Sequence, residues 1–161
     1  MELLLSIFVW INFLAAPELS AIRKMYSDVS KSEANAKEFL DKLAGVSTAD
    51  ENILVAYKAA SILLDSKFED KLKNKMARFK EGAQLLESTV KKEPNNIEIR
   101  MIRLSIQENV PGITGYKKNI KEDRQFITAH YGEQNAALKE YLKNFVLQSK
   151  SFSDKEKQFV K

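Results

Sequence analysis

The stretch that decides the fold is Phe68-Glu-Asp-Lys-Leu72-Lys-Asn-Lys-Met76-Ala-Arg-Phe79-Lys-Glu-Gly-Ala83-Gln-Leu-Leu86-Glu-Ser-Thr-Val90, followed by Lys91, Lys92, Glu93 and Pro94. Its apolar side chains fall at 68, 72, 76, 79, 83, 86 and 90. Steps of three and four place them on one face of a helix. The spacing therefore predicts an amphipathic helix over 67–92, with that face as its core stripe. Pro94 closes it, because the residue before a proline is pushed out of the helical region.

Outward from this helix, Ser, Thr or Asn followed three residues later by Glu marks further starts. In such a box the two side chains reciprocally satisfy free backbone N–H groups of the first turn. It occurs at Ser30/Glu33, Thr48/Glu51, Ser66/Glu69, Asn95/Glu98 and Ser153/Glu156. Stops stand at Gly45, Pro94, Pro111 with Gly112, and Gly132. Together they predict helices at 18–29, 31–44, 49–65, 67–92, 96–109, 116–131 and 133–148, with a short helical tail from 154. Ile22, Met25, Tyr26 and Val29 form a second stripe, and Leu138, Tyr141, Leu142 and Phe145 a third. Ala56, Ala59 and Ala60 are small enough to let a neighbouring helix approach closely. Short connections imply antiparallel hairpins, so the expected class is all-α.

Composition agrees. The chain has 161 residues but only 5 Gly and 3 Pro, against average usage of about 7% and 5%. A β-sandwich needs frequent turn residues, and a nucleotide-binding loop needs clustered glycines, so both are disfavoured. With no cysteine there is no disulfide, thiolate metal site or cysteine nucleophile. A single histidine, His130, excludes a two-histidine zinc motif. No cofactor is expected. The net charge of +4 is spread through interleaved Lys and Glu without a basic, aromatic-rich stripe, so a nucleic-acid partner is not expected.

Leu3 to Ala16 carry no charge and are interrupted only by Ser6 and Asn12. At about 1.5 Å per residue the run is shorter than the ~30 Å hydrocarbon core of a bilayer. It suits the apolar region of a signal peptide, with small residues and Pro17 following it. The absence of Lys or Arg before the run counts against this, and Arg23 and Lys24 after it favour a retained anchor. A buried first helix is the third alternative. The expected organisation is a signal peptide over 1–21, cut after Ala16 or Ala21, and one helical domain over 22–161.

Lys80 to Arg100 resembles the second helix and exit turn of a tetratricopeptide repeat, through Gly82, Leu86, Thr89 and Pro94. The preceding helix, with Ser66, Glu69, Asp70 and Lys73, departs from that pattern, and no second copy follows at the repeat's period. The resemblance implies helical hairpins in a right-handed bundle or short solenoid, used for protein contacts. More widely, Ile22–Lys150 is similar to a group of exported helical proteins of Bacteroidota with no assigned activity. Ile22-Arg-Lys-Met-Tyr26, Ala56-Tyr-Lys-Ala-Ala60, Glu93 to Pro111 and Tyr116 to Ile120 carry that likeness. It implies export.

The helix after Pro94 has two apolar strips. Ile97, Met101 and Leu104 form one, and Ile99, Ile102 and Ile106 the other, so it should pack between neighbours on both sides. Arg100, Arg103 and Gln107 share its remaining polar face. With Tyr116, Lys117 and Lys118 they form the candidate interaction patch, since guanidiniums three residues apart can grip a carboxylate or phosphate. The alternative is ion pairing with Glu or Asp of a neighbouring helix. Glu98 lies between the apolar strips and needs a partner if buried. It reads as helix capping, with catalysis as the alternative. His130 reads as a helix-terminal residue, and Glu122, Asp123 and Glu133 follow surface spacing. Residues 110–115 form either an apolar contact loop or a turn that tucks Ile113 into the core.

These readings favour a non-enzymatic, exported helical interaction or scaffold protein of the periplasm or cell envelope, or a secreted one, with a protein partner. Contact with a membrane is expected only through residues 3–16. The alternatives are a small enzyme or binding protein for an anionic ligand using Arg100, Arg103 and Glu98, and a membrane-tethered structural subunit.

Overall fold

A computed structural model describes residues 17–161. The run Leu3–Ala16, on which the signal-peptide and anchor readings rest, lies outside the described residues. Among the described residues seven α-helices are packed together: α1 (Leu19–Asp28), α2 (Glu33–Lys42), α3 (Asn52–Asp65), α4 (Leu72–Lys92), α5 (Ile97–Asn109), α6 (Ile120–His130) and α7 (Ala136–Gln148). A 3-10 turn, Glu156–Val160, follows. The described residues contain no β-strand, and none of their helices is long and apolar enough to cross a membrane.

α3 and α5 are the inner helices. α3 buries residues all round, from Leu54 to Leu63, and α5 is buried on both apolar strips and on its polar face as well. α5 packs on α3, α4 and α6, which meets the expectation for a helix with two apolar strips. The most extensive pairing is α3 with α4. Gly82 permits it: a Cβ there would lie 2.7 Å from Leu63 Cγ and 2.9 Å from the Ala59 carbonyl oxygen. Ala59 and Leu63 of α3 and Gly82 of α4 are thus two sides of one close approach.

The α4 stripe does not run wholly into the core. Leu86 and Val90 are buried, Phe79 and Ala83 half-buried, and Leu72 and Met76 are 70% and 64% exposed. Arg78 Nη1 reaches Asp65 Oδ2 at 2.7 Å, at the last residue of α3, so the α4 turns before Arg78 project past the end of their partner helix.

All seven helix starts come later than expected, α4 and α6 by the most. Ser66–Phe68 form a 3-10 turn and Glu69 is extended, which moves the start of α4 to Leu72. Gly115 takes the left-handed conformation, and the Asn119 N–H donates to Gln107 Oε1 at 3.2 Å, so residues 116–119 form turns and α6 begins at Ile120. Ile113, a candidate core residue, is 96% exposed instead. The turn closes on Thr114 and Pro111, whose hydrogen bond leaves Ile113 at the tip.

The capping boxes are largely displaced. Ser153 and Glu156 form theirs reciprocally. Elsewhere the neighbouring polar residue serves: Ser32 caps α2, Asn96 caps α5 and Asp50 pairs with Ser47 before α3. Ser66 instead donates to the Leu63 carbonyl.

Candidate functional site

Arg100, Arg103, Gln107 and Tyr116 are brought together, but inside the molecule. Arg103 donates through Nε to Asp123 Oδ2 and through Nη2 to Asp123 Oδ1, both at 2.7 Å. Its Nη1 reaches Glu87 Oε2 at 3.1 Å, and Glu87 Oε1 accepts from the Tyr116 hydroxyl at 2.8 Å. Arg100 Nη1 donates to Glu122 Oε1 and Asp123 Oδ1, its Nε to the Pro94 carbonyl, and its guanidinium lies over the Phe126 ring. Gln107 exchanges hydrogen bonds with Asn119.

Burial works against the Arg103 charge, yet the hydrogen bonds and charge of Asp123, with Glu87 behind them, raise its pKa further. Burial pushes the Tyr116 hydroxyl up as well, with Glu87 adding to it. Hydrogen bonds from Arg100 and Asn119 hold Glu122 below the usual carboxylate range. This polar seam ties α5 to α4 and α6. Its arginine donors are directed to partners within the chain. Lys117 and Lys118 stand apart at the surface.

Asp123, which surface spacing suggested was exposed, is fully buried as the common acceptor of both arginines. The signal for it lay in the polar face of α5, since two buried guanidiniums require a buried carboxylate.

Glu98 is also buried, on the opposite side of α5. Arg23 forks onto it through Nε at 2.8 Å and Nη2 at 2.6 Å, and Tyr57 donates to it at 2.6 Å. The hydrogen bond to Glu98 raises the Arg23 pKa, and burial pushes Tyr57 well above its ordinary range. Tyr141 meets the Tyr57 hydroxyl at 3.1 Å, and Tyr26 is hydrogen-bonded to Ser105. Glu98 therefore faces α1 and α3 while the arginines of α5 face α6, so the three do not line one ligand pocket. Asn96, not Glu98, caps α5. His130 ends α6 with Nδ1 2.9 Å from Glu133 Oε2 and its ring against Phe126. No cluster of metal-ligating side chains is present among the described residues.

Among the described residues, a groove of about 1640 Å³ opens to the surface. The first turns of α4 supply Leu72, Met76, Phe79 and Ala83 to its wall. The middle of α5 adds Met101 and the loop after it Val110 and Ile113, α7 adds Phe145, and Tyr26 and Tyr141 also line it. Phe79 and Tyr116 meet edge to face, which braces α4 against the loop. Of the candidate patch, Tyr116 and Lys118 border this groove. Its apolar residues come from five separate stretches of sequence, and helical periodicity marks those of α4 as core-facing without saying that Leu72 and Met76 stay exposed.

Compared with known families, curated proteins and solved structures, the chain matches no family model, no curated protein and no solved structure.

Proposed function

We propose that this chain is a non-enzymatic helical interaction module, a short bundle of TPR-like hairpins whose docking face is the groove between α4, α5 and α7. The observation that carries this reading is the exposure of Leu72, Met76 and Ile113 around one large apolar hollow. Apolar surface gathered in this way marks an interaction site. The ionisable clusters, by contrast, are internal: Arg103 with Asp123, and Glu98 with Arg23. The test is a titration of isotope-labelled protein with an amphipathic helical peptide. Amide resonances of α4, residues 110–118 and α7 should shift, and Met76→Asp should remove the response with helical circular dichroism intact. Shifts confined to other surfaces would overturn the reading.

The compartment belongs to the same proposal. A signal peptide cut after Ala16 would leave α1 whole, whereas a cut after Ala21 would remove its first three residues, including Leu19, which packs on the core. The intact mass of the native protein in separated cytoplasmic, envelope and membrane fractions tests export. A soluble envelope species starting at Pro17 is expected. A full-length membrane species would make residues 3–16 an anchor.

A further inference from the structure

The groove is bordered by six lysines, Lys67, Lys75, Lys80, Lys91, Lys118 and Lys150. None of them is in an ion pair with a described residue. Among the described residues, two carboxylates, Glu87 and Glu108, line the same space. Glu87 accepts from Arg103 and Tyr116 through its two oxygens, and Glu108 accepts from Ser149 and Ser151 through Oε2. A chain whose charges nearly balance overall, 26 basic against 22 acidic, thus presents an apolar hollow whose rim carries more lysines than carboxylates.

That combination selects an occupant that is apolar on one side and anionic along its flanks. The size of the groove exceeds the ~300–1,000 Å³ of small-molecule sites. Leu72, Met76, Phe79 and Ala83 repeat at helical spacing along α4, so they offer a ridge into which a second helix can pack. Gln84, Asn144 and Gln148 on the walls can bond a peptide's polar side chains and have nothing to offer a hydrocarbon tail. We infer that the groove takes an acidic amphipathic helix of a partner protein, its apolar face on the α4 ridge and its carboxylates against the lysine rim. This rests on the docking reading above and adds the sign and shape of the occupant.

The experiment uses the purified full chain and two fluorescent helical peptides with the same leucine face, one flanked by Glu and one by Lys. Exposed ion pairs are individually weak, and several together should make the Glu-flanked peptide bind about tenfold tighter. The difference should narrow as salt is added. The charge reversal Lys75→Glu/Lys80→Glu/Lys118→Glu should invert the preference, and Met76→Asp should weaken both peptides. Equal binding of the two peptides, both lost in Met76→Asp, would overturn the acidic occupant and leave the docking face standing. Binding of sodium dodecanoate with neither peptide bound would overturn the helix and assign the groove to an amphiphile. No binding of any of the three probes would overturn both readings.

Discussion

Asp123 of α6 holds Arg103 of α5 in a two-bond fork, and its Oδ1 also accepts from Arg100 at 2.9 Å, so one fully buried carboxylate neutralises part of two guanidiniums. Removing one partner of a buried pair leaves the other's charge without compensation, which costs about 3–5 kcal/mol. Asp123→Asn should therefore destabilise the protein by about that amount, read as the shift in urea midpoint. Glu122→Gln should cost under about 1 kcal/mol, because the Glu122 side chain is more than half exposed and its ion pair is screened by water. Similar losses in the two variants would show that the fork does not anchor α6.

Gly82 gives a second stability test. In an exposed helix Gly→Ala gains about 1 kcal/mol. Here the added carbon would sit 2.9 Å from the Ala59 carbonyl oxygen and 3.1 Å from the Leu63 nitrogen, both backbone atoms that cannot swing away. Overpacking of this kind costs about 1–3 kcal/mol, so it should outweigh the helical gain. Gly82→Ala should lower the melting temperature, whereas Gly45→Ala, with no atom within 4 Å of the new carbon, should not. A Gly82→Ala melting point at or above that of the parent would mean that α3 and α4 can separate at little cost.

How far the sequence revealed this architecture depends on the range of the interaction involved. Stripes and breakers are local, and they place seven helices with most ends within a few residues. The caps fail by one or two positions because adjacent polar residues compete: Asn95 and Asn96 are chemically identical, and Asn96 has the geometry to accept from Glu98 and Ile99. The helical wheel gathers Arg100, Arg103 and Gln107 on a polar face, yet it cannot show that Asp123, twenty residues beyond Arg103, will cover that face. For Leu72 and Met76 the wheel fixes which side of α4 they share. What lies opposite depends on where α3 ends.

Alkaline pH should unfold the protein through its buried tyrosines. Burial raises the hydroxyl pKa of Tyr26, Tyr57, Tyr116 and Tyr141 above the ordinary 10.0, with nearby carboxylates Glu108, Glu98 and Glu87 contributing. A raised folded-state pKa gives stability that is fully present below the unfolded value and is lost as pH rises beyond it. The melting temperature should thus be insensitive to these groups below about pH 10 and fall steeply above it. Tyrosinate absorbance should rise together with loss of helical circular dichroism. Four tyrosines ionising near pH 10 with the helices intact would contradict their burial.

The stripe on α4 should divide energetically at Phe79. Leu86 is fully buried, and truncating such a leucine costs about 2–5 kcal/mol through lost burial and the cavity left behind. Leu72 is 70% exposed and has little to lose, so Leu72→Ala should change stability by less than about 0.5 kcal/mol. The same substitution removes apolar surface from the groove wall and should weaken peptide binding severalfold. Leu86→Ala should reverse the pattern, with a large loss of stability and, in the fraction that remains folded, near-normal binding. If Leu72→Ala instead destabilised the fold as Leu86→Ala does, the first turns of α4 would be covered in solution by some other part of the chain, and the groove would not be an open face.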